Sequence, residues 1–374
     1  MKIAVNTRLL LKGKLEGIGW FTFETLKRIT REHPEHEFIF IFDRPYNSGF
    51  IFSENVTPVV IGPPARHPFL FYLWFDFQIP KVLKKYKADL FLSPDGYLSL
   101  RTRVPQLAVI HDINFVHRPG DFPWLVEKYY NHFFPKFAKI AKRIATVSFY
   151  SKEDITRSFK VDFDKIDVVY DGINPVFVPT SAEDQKAVRE KYTGGRPYFL
   201  FVGALHPRKN ISGLLNAFDA FKSVDTQQTK LVIVGGEMHK TGDIFETFEN
   251  MRFKNDVLFT GRIPTDELHQ LLGAALALTF VPFFEGFGIP VVEAMSVGVP
   301  VICSNTTSLP EVGGNAVFYA DPCKTEQITE AMIKIASDEE LRESLIEKGF
   351  GQKNKFSWDE TARLLWMSVE KALQ

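Results

Sequence analysis

Cysteine is scarce in this chain, with only Cys303 and Cys323 in 374 residues. Neither stands in a Cys-x-x-Cys pair or near a histidine at ligand spacing. A disulfide framework and a zinc site are therefore not expected, and the pattern fits a reducing compartment. Net charge is missing too. Lys and Arg number 45, as do Asp and Glu, which leaves no bulk field to draw in nucleic acid. No run of about 18 apolar residues occurs, so no membrane-spanning helix is expected. The nearest candidate, 69–77, is too short and contains Asp76. The opening MKIAVN reads as a strand rather than a secretion signal, and a cytoplasmic location is expected. Two glycine-rich phosphate loops are also lacking. There is no Gly-x4-Gly-Lys-Ser/Thr, and after Gly17 and Gly19 the third dinucleotide-fingerprint position is Thr22.

The remaining composition is that of an ordinary globular chain, 45% hydrophobic and 24% charged. Its length suggests two or three domains. The 36 phenylalanines read as bulky core filler. Short β-branched or Phe-rich runs at 2–6, 38–42, 57–61, 90–93, 107–110, 145–147 and 166–169 predict strands. Amphipathic patterns at 18–31, 69–86 and 124–141 predict helices between them. Such alternation means parallel strands with crossover helices. The stretch 171–179, rich in turn formers and with two prolines, predicts an extended linker. A second series of strands is expected at 199–202, 230–234, 257–260, 276–280 and 299–303. The fold class is thus α/β, with two Rossmann-like doubly wound halves. The expected domains are 1–176, 177–356 and a terminal helix over 357–374. Ser357 with Glu360 predicts a capping box that opens this helix, and Ser337 with Glu340 predicts another before it. Two helices without an intervening strand suggest that the last one packs away from its own sheet.

Four constellations carry chemistry. Residues 284–295, Phe-Glu-Gly-Phe-Gly-Ile-Pro-Val-Val-Glu-Ala-Met, pass from a strand through a glycine turn into a helix with Pro290 in its first turn. The amides of Phe287, Gly288 and Ile289, with the helix dipole, would form an anion site. Glu285 precedes the turn and Glu293 lies in the first helical turns. Carboxylates beside an anion site make sense when they accept hydrogen bonds from hydroxyls, as ribose and a hexose supply them. The plainer reading is a glycine turn with a surface Glu on each side. Residues 202–210, Val-Gly-Ala-Leu-His-Pro-Arg-Lys-Asn, also join a strand to a helix. Gly203 permits a tight turn, and Arg208 and Lys209 would sit at the carboxyl end of the sheet, where they can neutralise a diphosphate. A solvated basic loop has the same sequence. His111, before Asp112 at a strand end, can hydrogen-bond a sugar hydroxyl or be a satisfied loop histidine. In the loop 12–19, Gly17 and Gly19 allow a mobile segment against a ligand. Asp162 and Asp164 have a metal-compatible spacing but lie in a helix-to-strand connection far from the glycine turns. They read as a chance match, and no metal is expected.

Glu285-x7-Glu293 within EGFGIPVVEAM, the upstream VGALHPRKN and the early GIG loop resemble the family 4 retaining glycosyltransferases of GT-B fold, over nearly the whole chain. The resemblance implies two Rossmann-like domains facing across a cleft, the donor mainly on the C-terminal one and the acceptor mainly on the N-terminal one. It also implies a last helix that crosses back to the first domain. Arg208 and Lys209 match the diphosphate-binding pair, and Glu293 matches the carboxylate on the nucleotide ribose. Glu285 matches the one near the transferred sugar, and His111 the histidine that touches it. Phe287, Gly288 and Ile289 match the amides on the distal phosphate, and Thr260-Gly-Arg-Ile263, with Gly261 and Arg262, the strand end beside the base. One departure is Ala204, where many relatives carry Arg, which puts more phosphate charge on Arg208 and Lys209. The Pro-Arg-Lys-Asn variant resembles a mannosyltransferase-rich subgroup of surface polysaccharide synthesis and implies GDP-mannose as donor. No cofactor beyond the nucleotide-sugar substrate is implied. The alternatives are a nucleotide-sugar epimerase on the same fold and a nucleotide-sugar-binding protein without turnover. The acceptor is expected to be a glycan or a lipid-linked glycan. The aromatic and basic segments 66–75, 81–87 and 124–142 either bury their rings against the first sheet or rest on the inner face of an anionic membrane.

Overall fold

The computed structural model describes residues 1–238 and 241–374. The chain divides into two compact units, Met1–Gly172 with Ser357–Gln374, and Ile173–Phe356. Among the described residues the first unit is built on one seven-stranded sheet. Its strands are β1 (Lys2–Asn6), β2 (Glu37–Phe42), β3 (Val56–Val60), β4 (Leu90–Ser93), β5 (Gln106–Val109), β6 (Arg143–Thr146) and β7 (Ile166–Val168). They lie in the order β3-β2-β1-β4-β5-β6-β7. The second unit has six strands, β8 (Tyr198–Val202), β9 (Lys230–Val234), β10 (Val257–Gly261), β11 (Ala277–Phe280), β12 (Val301–Ser304) and β13 (Phe318–Ala320). Their order is β10-β9-β8-β11-β12-β13. Neighbouring strands pair in parallel, with Ile3 opposite Phe38 and Leu278 opposite Val301.

Parallel strands covered by helices on both faces need apolar side chains at every position rather than at alternate ones. Phe38–Phe42 and Tyr198–Val202 are accordingly buried throughout. Ten of the twelve largest fully buried side chains are phenylalanines, so this residue is chiefly core filler. Both cysteines are free, Cys303 buried and Cys323 exposed. No helix among the described residues is long and apolar enough to cross a membrane.

Three local readings need correction. The segment expected to be one helix over 69–86 is an α-helix at Pro68–Leu73, a π turn at Trp74–Gln78 and a second α-helix at Ile79–Tyr86. Pro80 has no N–H to give the carbonyl four residues back, and the Ile79 amide reaches Trp74 instead, which widens the turn. The helix Glu339–Gln352 is capped by Asp338, whose carboxylate accepts the Leu341 amide at 2.9 Å. Ser337 instead ends the preceding helix, with its hydroxyl on the Ile333 carbonyl. The edge strand β13 was not expected, because three residues are too few to show a period.

The terminal helix Trp358–Leu373 starts from Ser357, whose hydroxyl accepts the Glu360 amide at 3.2 Å. Asp167 at the end of the first sheet holds it by accepting from Ser368 and Lys371, both at 2.7 Å. Trp366 stacks on His33 with ring centroids 3.8 Å apart, and the Thr361 hydroxyl donates to the Tyr170 carbonyl at 2.7 Å. Gly172 abuts the start of this helix so closely that a Cβ there would lie 2.3 Å from the Trp358 nitrogen. Gly172→Ala is expected to destabilise the first unit by about 3 kcal/mol, the upper range for overpacking. The measurement is the urea midpoint together with amide exchange across 358–373, and an unchanged midpoint contradicts the close packing.

Candidate functional site

In the second sheet the strand order reverses between β8 and β11, and such reversals open a crevice beyond the carboxyl ends. The chain leaving β8 runs through Gly203 to a 3₁₀ turn, Pro207–Lys209. The chain leaving β11 runs through Glu285 to the helix Ile289–Val297. Hydrogen bonds tie these connections to each other and to the segment after β13. The Phe283 amide donates to the Arg208 carbonyl at 2.9 Å. Asn210, in the left-handed region at φ 57°, donates its side-chain amide to Val281 O at 3.0 Å and Pro322 O at 2.8 Å. Beside them, a Cβ on Gly235 would stand 1.8 Å from the Gly203 carbonyl oxygen, so the loops after β8 and β9 meet only because this residue is glycine.

That arrangement brings three expected site residues into direct contact. Arg208 Nη1 donates to Glu285 Oε1 at 2.8 Å and to the Phe284 carbonyl at 3.1 Å. Lys209 Nζ donates to the same Glu285 oxygen. It also stands 5.0 Å from the centre of the Phe280 ring. Glu285 and Lys209 are both buried. Burial pushes the Glu285 carboxyl up, but Arg208 and Lys209 outweigh it and hold the group below its ordinary value. The site therefore carries two cations and one anion. The Glu285 amide donates to the Thr307 hydroxyl at 3.3 Å, and the Ser308 hydroxyl donates to the Glu285 and Phe287 carbonyls at 3.0 and 3.2 Å. Thr307 and Ser308 come from beyond β12 and were not anticipated; nothing in their local sequence distinguishes them.

Gly288 caps the helix Ile289–Val297 at φ 106°, with Pro290 in the first turn. A Cβ at Gly288 would lie 2.5 Å from the Leu309 side chain, which accounts for glycine there. Phe287 is buried edge-on to Phe356, with ring centroids 5.3 Å apart. The amides of Gly288 and Ile289 thus stand at the positive end of a nine-residue helix. Glu293, one helical turn in, keeps partial exposure. Desolvation pushes its carboxyl up to about 8. Gly261 ends β10, two places from β8 in the sheet order, and Arg262 follows it.

The remaining expected residues belong to the first unit. Gly17 and Gly19 lie in the first turn of the helix Gly17–Glu32, which corrects their placement in a mobile loop. Gly19 is buried there, where a Cβ would come 3.2 Å from the Leu9 carbonyl. His111 follows β5 and donates Nε2–H to the Pro94 carbonyl at 2.9 Å, leaving Nδ1 as an acceptor. Burial lowers its pKa, so the ring is neutral. The first sheet reverses between β1 and β4, and there Asp95 accepts from Asn6 at 2.7 Å and from Arg8 Nε at 2.6 Å. This buried network was also missed, since Asp95 follows β4 and meets Asn6, at the end of β1, and Arg8 only once the sheet has formed. Asp162 and Asp164 form a local turn in which Asp162 Oδ1 accepts the Asp164 amide at 2.9 Å.

Comparison with known proteins agrees with this architecture. The model for Glycosyltransferase Family 4 matches residues 16–177, and that for Glycosyl transferases group 1 matches 183–352. The O-antigen chain mannosyltransferase B of Escherichia coli is 32% identical over 371 residues, covering 96% of this chain and 97% of that protein. The O-antigen chain mannosyltransferase RfbU of Salmonella typhimurium is 33% identical over 58% of this chain and 57% of its own length. Among solved structures, HepE of Anabaena in complex with UDP and glucose superposes with a TM-score of 0.74 at 17% identity, covering 99% of each chain. WaaG, a glycosyltransferase involved in lipopolysaccharide biosynthesis, gives 0.74 at 15% identity over 96% of this chain and 97% of its own. The fold is GT-B, with two Rossmann-like domains.

The Glu293 carboxyl has an ordinary value of 4.5 and is raised to about 8 in the folded chain. Between these values the folded state keeps a proton that the unfolded state releases. The stability it contributes is therefore complete below pH 4.5 and lost as pH rises toward 8. Glu293→Gln should match the wild type in thermal midpoint near pH 5 and exceed it at pH 8. Equal midpoints at pH 8 would mean that the carboxyl ionises freely.

Proposed function

The chain belongs to glycosyltransferase family 4, and from that membership we propose that it transfers mannose from GDP-mannose to a glycan or lipid-linked acceptor in surface polysaccharide synthesis. Retaining glycosyl transfer is the family's reaction and the activity of this chain. Mannose is supported by the O-antigen mannosyltransferase relatives, one aligned end to end, and by Pro207-Arg-Lys-Asn210. The observation that carries the reading is the shared contact of Arg208 and Lys209 with Glu285.

A guanidinium has five donors and an ammonium three, so each side chain can bond more than one oxygen, as Arg208 does with Glu285 and the Phe284 carbonyl. Arg208 and Lys209 hold the donor diphosphate, and the Phe287, Gly288 and Ile289 amides take its distal phosphate. Glu293 accepts from the ribose hydroxyls, with Gly203, Gly261 and Arg262 around the nucleotide. Glu285 accepts from a hexose hydroxyl. Roles for Gly17, Gly19 and His111 in sugar binding follow from family membership. As the anomeric C–O bond breaks, its electron pair goes to the leaving diphosphate, where the two cations stabilise the growing charge. The acceptor oxygen bonds to the anomeric carbon from the same face, and its proton passes to a phosphate oxygen. The cations and amides supply the charge stabilisation, so no metal or further cofactor is assigned.

The enzyme is assigned to the cytoplasm, peripheral to the inner membrane face. Support comes from exposed apolar residues on neighbouring helices. Phe69, at 64% exposure, is on Pro68–Leu73, and Trp124, at 71%, opens Trp124–Ile140. The helices run side by side with Phe71 on Tyr129 and Tyr72 on Phe133, and Lys128 lies 5.9 Å from the Trp124 ring. Of the other rings in these segments, Trp74, Phe75, Phe134 and Phe137 are buried and Tyr72, Tyr130 and Phe133 are half-buried.

In a thermal-shift panel of GDP-, UDP-, ADP- and dTDP-sugars, GDP-mannose should stand out, because a ligand at 100 times its Kd adds about 2.7 kcal/mol. Lys209→Ala and Glu285→Ala should each lower the transfer rate about 10²–10³-fold with retained near-UV dichroism, and wild-type turnover in both refutes the assignment. Flotation with phosphatidylserine vesicles should be reduced in Phe69→Ser/Trp124→Ser. Absence of wild-type co-flotation ends the membrane reading.

A further inference from the structure

The carboxyl edge of β1, β2 and β3 carries a cavity of about 520 Å³ that the family's donor chemistry does not use. We propose that it is a binding site for a phosphate or diphosphate group on the acceptor, so that this enzyme recognises an anionic acceptor rather than a neutral glycan alone. Four of its nine lining residues are cations, Lys12, Lys14, Arg44 and Arg66, and none of the described residues lining it is acidic. Arg44 donates from Nε and Nη2 to the two oxygens of Asp43 at 2.5 and 2.6 Å. Among the described residues Lys12, Lys14 and Arg66 have no ion pair. Four cations less the one paired with Asp43 leaves three positive charges on one wall, in a chain whose formal net charge is zero. Their mutual repulsion is relieved by an anion bound among them.

Two of the four cations stand on an ordered frame. Asp43 is buried and also accepts the Ala65 amide at 2.8 Å, next to Arg66. The Ala65 carbonyl accepts from Arg8 Nη1 at 3.0 Å, and Arg8 is anchored by Asp95. Arg44 and Arg66 are thus presented from one hydrogen-bonded frame that reaches back to the strand reversal between β1 and β4. The volume exceeds what one phosphate fills and lies in the range of small-molecule sites. Tyr46, stacked on Phe42 with centroids 4.8 Å apart, supplies a flat wall against which a sugar ring can lie.

This inference rests on the assignment of the acceptor to the first unit, but its test reads binding and not transfer. The full chain is saturated with GDP, so that donor phosphate contacts are occupied, and titrated calorimetrically with inorganic pyrophosphate, a soluble hexose 1-phosphate and dodecyl phosphate below its micelle concentration. Pyrophosphate should bind, more weakly as salt rises. Arg66→Glu should weaken it by about tenfold or more, the scale of one charge-assisted hydrogen bond. Arg66→Lys should stay within about threefold, because the charge is kept. Arg66 is exposed, and unchanged GDP affinity in both variants verifies their folding. A gain for hexose phosphate over pyrophosphate identifies a sugar phosphate as the source, and a gain for dodecyl phosphate identifies a lipid-linked one. No binding of any probe to the GDP-saturated chain, or equal binding by Arg66→Glu and wild type, overturns the proposal. Failure of GDP itself to bind, with pyrophosphate binding still dependent on Arg66, sinks the donor assignment and leaves this site standing.

Discussion

Glu285 accepts from Arg208 and Lys209 through a single oxygen, and those two cations keep it ionised where burial alone would not. The contact is tertiary in every sense. Arg208 and Lys209 leave β8, Glu285 leaves β11, and the strands are neighbours only because the sheet reverses its order between them. The Asn210 side-chain amide and the Phe283 backbone amide fasten the two connections by donating to backbone carbonyls. A buried carboxylate that lost both partners would be left uncompensated, a state that costs several kcal/mol. With the partners present, two cations share one carboxylate, which suits a phosphate-rich ligand.

The first unit solves a related problem with different residues. At its own strand reversal Asp95 gathers Asn6 and Arg8 into a buried network. From there hydrogen bonds run outward through Ala65 and Asp43 to Arg44. Charge that balances over the whole chain is therefore not balanced locally. The carboxyl edge of the second sheet holds two cations on one carboxylate, and that of the first holds four cations of which Arg44 is paired with Asp43. Substrates with phosphate groups fit both, which is consistent with a family that moves sugars off nucleotide diphosphates.

Much of the architecture was legible because parallel sheets bury both faces of each strand. Runs such as Phe38–Phe42 and Tyr198–Val202 announce themselves without any alternation. β13 escaped notice since it has three residues at a sheet edge. Pro80 turned one expected helix into two with a π turn between them, through the loss of a single N–H. At Ser337 the capping signature was one residue out of place, because Asp338 was equally able to accept the amide and stood nearer the true start. Glu285 and Glu293 read as a matched pair in the sequence. They are opposites in the structure, one held ionised by two cations and the other raised to about 8 by desolvation.

What the sequence determined alone was local or periodic: two series of parallel strands, the glycine turn before Ile289, the capped terminal helix and the motif that marks the family. Those follow from propensity, spacing and hydrophobic pattern, all of which act within a few residues. Tertiary structure decided which charges meet. Glu285 lies 76 residues from Lys209 and Arg44 lies 22 from Arg66, and chain distance of that kind carries no signal about contact. Electrostatic partners are chosen by strand order and loop closure, so the protonation states and the basic cavity became visible only once the sheets were assembled.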